Sequence, residues 1–182
     1  MKFDRAQLWW PWELGEPRLY TLKLAAEMDG DNSDATQTRF GIRETADYLT
    51  PEGYRGYSIN GRRIFIRGGG WADALLLHED ASNLAAQIGY IKAMNLNTIR
   101  LEGIWGSSQR LYDLADENGL LIMAGWSCQW EWKEYLGVKV DSKHGGLTTA
   151  AGMQLATHYL RDQVLWLRNH PSIFVWACFS AG

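Results

Sequence analysis

Ala81-Ser-Asn-Leu-Ala-Ala-Gln-Ile-Gly-Tyr-Ile-Lys-Ala-Met94 followed by Thr98-Ile-Arg-Leu101 reads as a helix and then a short strand, and the alternation begun there decides the fold class. Working outward, the next helix spans Ser107 to Asn118, with Leu111, Leu114 and Ala115 on one face and Gly119 suited to a C-cap. A strand from Leu120 to Ala124 follows it. Beyond a long polar loop, Thr149 to Arg168 is helical and Ile173-Phe-Val-Trp-Ala-Cys178 is a buried strand. On the N-terminal side, the apolar run Ile64 to Arg67 is the first strand of the series. Four strands alternating with three helices predict a parallel sheet, either open and doubly wound or half of a closed barrel.

Two hairpins precede this series. Tyr57-Ser-Ile-Asn60-Gly61-Arg-Arg-Ile-Phe-Ile-Arg67 contains the Asn-Gly pair that a type I′ turn requires. Further upstream, Leu19 to Met28 alternates as a strand, Asp29 to Asp34 reads as a turn, and Thr36 to Arg43 as a return strand. Two strands fall short of the roughly seven in an immunoglobulin-type sandwich. A full barrel takes about 250 residues, more than this sequence supplies. The expectation is therefore an α/β chain holding the first four strands of a (β/α)8 TIM barrel in residues 47–182, preceded in residues 1–46 by the last strands of an immunoglobulin-like β-sandwich. The last strand would have an open edge, through which self-association is expected unless the remainder of a larger enzyme covers it.

Composition narrows the function. With 46% hydrophobic and 21% charged residues and a net charge of -3, the sequence has no basic stripe, so nucleic acid is not an expected partner. No run of about 20 apolar residues points to a membrane, and Met1-Lys-Phe-Asp-Arg5 does not resemble a signal peptide. Cys128 and Cys178 form no CxxC and read as packing residues, and no metal or organic cofactor is expected. His78, His144, His158 and His170 fit neither HExxH nor a serine elbow and receive no catalytic role. Ten tryptophans supply flat faces on which sugar rings stack, although tryptophan also fills cores.

Functional groups of parallel βα sheets gather at the C-terminal strand ends. That rule selects Gly68-Gly-Gly-Trp71-Ala-Asp73, then Arg100 and Glu102, then Trp126 with the loop containing Glu131, and finally Ser180. Each has a bland alternative. The triple glycine fits a tight exit from a strand and lacks the spacing of a phosphate loop, which excludes nucleotide binding. Glu102 can be a surface carboxylate, and Arg100 can pair with Glu102 or Glu117. Arg100 is equally suited to hold a nucleophilic carboxylate in place. The loop Trp126-Ser-Cys-Gln-Trp-Glu131-Trp-Lys-Glu-Tyr135 interleaves aromatic and acidic residues as sugar sites do, or tucks its rings into a barrel rim.

These motifs together resemble glycoside hydrolase family 2, and within it the exo-β-D-glucosaminidase branch, with β-mannosidases next. Leu8-Trp-Trp-Pro-Trp-Glu13, Pro17-Arg-Leu-Tyr20 and Arg39-Phe-Gly-Ile-Arg43 resemble the end of that family's immunoglobulin-like domain. Asn60 to Gly68 resembles its hairpin entry to the barrel. Asn95 to Gly103, Leu111 to Gly119 and Arg168-Asn-His-Pro-Ser-Ile173 resemble the second strand, its helix and the entry to the fourth strand. The branch rests on Gly68-Gly-Gly-Trp71, Arg100-Leu-Glu-Gly103, Gly125-Trp126 and Cys128.

The resemblance implies a retaining hydrolase that removes terminal sugars with an acid after the fourth strand and a nucleophilic carboxylate after the seventh, from a parent enzyme that is secreted or periplasmic. It implies that Arg100 holds the nucleophile, that Glu102 faces the amino group at C2, and that Trp71 and Trp126 line the first subsite; Asp73 and Glu131, from their places after the strand ends, are expected as further carbohydrate contacts. Ala74 stands where the branch places an acidic residue, with Asp73 one position earlier. The family's acidic pair falls on Ser180 and Ala181, and a methyl group cannot protonate a leaving oxygen. No catalytic residue is assigned, and the chain alone is expected not to hydrolyse. The expected partner is a β-linked amino sugar or a mannoside; a non-catalytic sugar-binding module and a piece without function are the rivals.

Overall fold

A computed structural model of the chain describes residues 5–72, 80–103, 108–125 and 149–177. Strands β1 (Tyr20–Met28) and β2 (Asp31–Phe40) form an antiparallel hairpin. Its turn is only Asp29-Gly30, both at positive φ (55° and 89°), so pairing resumes at once with Met28 opposite Asp31. The polar run Asp31 to Asp34 therefore belongs to the return strand and not to the turn expected there. A strand exposed on both faces places no apolar demand on its side chains, so alternation could not reveal it. Tyr20 and Phe40 stack at 5.8 Å and close the open end of the hairpin.

Strands β3 (Thr45–Leu49), β4 (Arg55–Ile59) and β5 (Arg62–Ile64) make a second antiparallel sheet in that order. Asn60 and Gly61 take positive φ values of 49° and 76°, as the Asn-Gly pair predicts. Asn60 also ties this turn to its surroundings: its side chain donates to the Trp9 carbonyl at 3.0 Å and accepts from the Glu44 amide at 2.8 Å. Strand β3 has no counterpart in the sequence reading. Its five residues are mostly exposed, and its pairing with β4 across a loop is what makes it a strand.

The third sheet is parallel: β6 (Gly68–Trp71), β7 (Thr98–Leu101), β8 (Leu121–Gly125) and β9 (Ile173–Ala177), hydrogen-bonded in sequence order. Helices α1 (Ala81–Ala93), α2 (Arg110–Asn118) and α3 (Ala150–Leu167) connect them. Neighbours follow chain order with no reversal, which is the progression of a (β/α) barrel; a doubly wound sheet changes direction at a switch point. Asp80 caps α1 by accepting from the Ser82 amide, Thr149 caps α3 by accepting from the Gly152 amide, and Gly119 closes α2 in the left-handed conformation at φ 65°.

The first parallel strand is Gly68–Trp71, four residues later than the expected Ile64 to Arg67. Ile64 ends β5, opposite Tyr57, and residues 65–67 lead from the hairpin into the parallel sheet. Glycine is a poor strand former, so the triple glycine reads as a loop from sequence. In the fold Gly68 is required by contact: a Cβ there would overlap the Thr98 carbonyl oxygen of the neighbouring strand.

Apolar residues divide between two clusters. On the helix side, Leu84 and Ile88 of α1, Leu111 and Leu114 of α2, and Ile99, Leu101, Ile122 and Ile173 of the sheet pack together. On the other side, Trp9, Ile59, Ile64 and Leu121 are buried, with Tyr57 and Phe174 against them. The antiparallel sheet thus covers one end of the parallel one, with Tyr57 and Phe174 edge to face at 5.3 Å.

Candidate functional site

Side chains alternate across a strand, so burial of Ile99 and Leu101 among the helices turns Arg100 to the opposite face of β7. There it stands in register between Gly70 of β6 and Met123 of β8. Glu102 follows at the carboxyl end of β7, exposed, with its Oε1 3.9 Å from where a Cβ on Gly70 would lie. Gly125 ends β8 close by; a Cβ there would overlap the Leu101 carbonyl oxygen, so the strands approach closely at this end. The fold therefore brings Arg100, Glu102 and Gly70 together at the carboxyl ends of adjacent parallel strands.

Trp71 goes elsewhere. It is in register with Leu101 and packs against the helix-side cluster, on the face opposite Arg100, and not toward the expected subsite. Its position at the end of a strand, where period two governs direction, accounts for this; from sequence, Trp71 falls after the first strand. Asp73, Trp126, Glu131 and Ala181 lie outside the described residues, as do Ala74, Cys128, Cys178 and Ser180. Glu117, one of the two partners considered for Arg100, is engaged by Arg39 at 2.6 Å; Arg39 also pairs with Asp113 at 3.0 Å. The hydrogen bond to Glu117 is the largest cause raising the Arg39 pKa.

At the opposite ends of the strands lies a set of buried polar contacts that sequence reasoning missed. The Asp116 carboxylate shares a 2.6 Å hydrogen bond with His170 Nδ1 and accepts from the Ser172 amide at 3.0 Å, while its carbonyl accepts from Trp9 Nε1 at 2.9 Å. Arg43 donates to the carbonyls of Pro171 and Ile173; burial lowers its pKa, and the nearby Asp116 charge works the other way. Ligand atoms of Asp113, Asp116 and His170 lie within 4.8 Å of one another, a spacing a metal would accept. Both Asp116 oxygens are nevertheless taken by protein donors and Asp113 is paired with Arg39, so the cluster is compensated from within. It anchors the turn that launches β9. The only signal for it was the Asn169-His170-Pro171-Ser172 run, whose partner lies more than fifty residues away.

A second anchor holds the start of β6 and β7. Buried Asn97 accepts from the Arg67 amide at 2.8 Å and donates to the Phe65 carbonyl at 2.8 Å and to Glu13 at 2.7 Å. Glu13 in turn pairs with Arg67. A cleft of about 360 Å³, lined by Thr45, Asp47, Arg55, Tyr57, Phe174 and Trp176, opens between the antiparallel sheet and β9; neither Arg100 nor Glu102 lines it.

Comparison with known proteins bears on the N-terminal hairpin and on the parallel sheet. Residues 55–180 match the model of the glycosyl hydrolases family 2 TIM barrel domain, and residues 1–43 match that of glycosyl hydrolases family 2. An exo-beta-D-glucosaminidase of Streptomyces avermitilis is 37% identical over 167 residues, covering 92% of this chain and 18% of that protein. A mannosylglycoprotein endo-beta-mannosidase of Lilium longiflorum is 31% identical over 188 residues, covering 96% of this chain and 18% of its own length. Among solved structures, the Amycolatopsis orientalis exo-chitosanase in complex with PNP-beta-D-glucosamine superposes with a TM-score of 0.83 at 33% identity, covering 96% of this chain and 20% of that one. The chain spans about a fifth of the length of the relatives it matches.

Proposed function

The chain belongs to the glycosyl hydrolases of family 2, and from that premise we propose that it carries the sugar-recognising strand ends of a retaining exo-acting hydrolase of terminal β-linked glucosamine. The observation that carries this reading is the placement of Arg100 and Glu102 at the carboxyl end of β7, with Arg100 on the face turned away from the helices. Arg100 presents a planar fork that orients a nucleophilic carboxylate, and Glu102 receives the ammonium at C2 of the sugar. Asp73, Trp126 and Glu131 complete the proposed carbohydrate contacts on the strength of the sequence. The similarity to exo-beta-D-glucosaminidases at 37% and 34% identity supports the choice of amino sugar.

Double displacement needs an acid and a nucleophile about 5 Å apart. Counted on from His170-Pro-Ser, the family's acid falls on Ala181, whose methyl group has no proton to give, so on this reading the 182-residue chain binds sugar without cleaving it. Titration of the chain with glucosamine, followed by NMR, tests the reading: saturable shifts that vanish in Glu102→Gln are expected, with no release of p-nitrophenol from its β-glucosaminide. Equal binding of mannose by the native chain and by Glu102→Gln would instead favour a β-mannosidase-type site, the reading to which the lily relative lends support.

A further inference from the structure

The three glycines of β6 are not alike. Gly68 is held to its identity by the Thr98 carbonyl, whereas neither Gly69 nor Gly70 takes a positive φ, and neither meets an obstructing atom among the described residues. A Cβ on Gly69 would find nothing within 4 Å among the described residues, on the face shared with Ile99, and no described contact explains the glycine there. On Gly70 it would find, among the described residues, only Glu102 Oε1, at 3.9 Å, on the face shared with Arg100. The backbone and the packing would thus both admit alanine at 70. What a side chain would change is the space in front of the Glu102 carboxylate.

We infer that Gly70 is a specificity-setting residue, whose missing side chain keeps open the approach by which the charged amine of a pyranose reaches Glu102 beside Arg100. The inference rests on the amino-sugar reading of that site and deepens it. An ammonium bonds a carboxylate at about 2.7–2.9 Å, closer than the ordinary contact that a methyl group on residue 70 would make with the same oxygen. Alanine would place hydrocarbon in the approach, and valine would extend it toward the carboxylate. Both exclude water and the amine from one side of Glu102 and leave the strand able to form, since each replaces a glycine, which itself weakens a strand interior.

The test uses the 182-residue chain, with glucosamine as probe and calorimetry or NMR as readout, in the unsubstituted form and as Gly69→Ala, Gly70→Ala and Gly70→Val. The native chain and Gly69→Ala are expected to bind alike, Gly70→Ala more weakly, and Gly70→Val on the order of tenfold more weakly than native. Glucosamine binding of equal strength in native chain, Gly70→Ala and Gly70→Val overturns the inference and leaves the amino-sugar reading standing. Absence of binding in both the native chain and Gly69→Ala removes the reading and the inference with it. Should Gly70→Val fail to fold, Gly70→Ala decides, because its Cβ makes only ordinary contact: native affinity in that variant overturns the inference.

Discussion

The two ends of the parallel sheet are built in opposite ways. At the amino ends of the strands, Asn97, Asp116 and Trp9 are buried and their polar atoms are met by partners from distant parts of the chain. At the carboxyl ends, Glu102 is exposed, and a Cβ on the glycine across from it would make no more than ordinary contact with it. The difference separates two demands: a polar group taken from water must be fully paired to keep the fold, and a recognising group must stay available for a ligand. Mutations at the two ends should therefore divide cleanly between stability and binding.

The sharpest way to break that division is Asp116→Ala. It strands His170 and the Ser172 amide and leaves buried Arg43 without its nearby anion, so a loss of about 3–5 kcal/mol is expected in urea unfolding. A loss below about 1 kcal/mol would mean that the β9 turn is held by other contacts. Asn97→Ala should cost about 2–3 kcal/mol in the same measurement, since it leaves the Arg67 amide and Glu13 short of partners. Gly68→Ala tests whether the close approach of β6 and β7 is essential; about 2 kcal/mol of destabilisation is expected, because the neighbouring carbonyl must move. At the other end, Glu102→Gln should change stability by less than about 0.5 kcal/mol while abolishing glucosamine binding. An unfolded Glu102→Gln variant would erase the contrast between the ends.

Several elements were legible without a structure because their causes are local. The strand Thr98 to Leu101, the helix begun by the Thr149 cap and the Gly119 terminus all depend on periodicity or capping within a few residues. Others were hidden. Strand β3 is mostly exposed and is defined by its partner, and the polar start of β2 looks like a turn until the two-residue hairpin is seen. For the site, placement of Arg100 and Glu102 at the end of β7 followed from strand position alone, whereas the direction of Trp71 depended on locating β6 at the glycines.

The sequence by itself determined the alternation of strands and helices, the Asn60-Gly61 turn, the family, and the residue types gathered at the strand ends. Backbone preferences and side-chain period act over short separations, so they are written directly in neighbouring residues. Only the tertiary structure decided that a triple glycine is a strand, that Trp71 packs against the helix-side core, and that Asp116 and His170 hold the root of β9. Each of those outcomes depends on what a distant segment brings within contact: the Thr98 carbonyl for Gly68, Leu101 for Trp71, and for His170 a carboxylate 54 residues away in sequence.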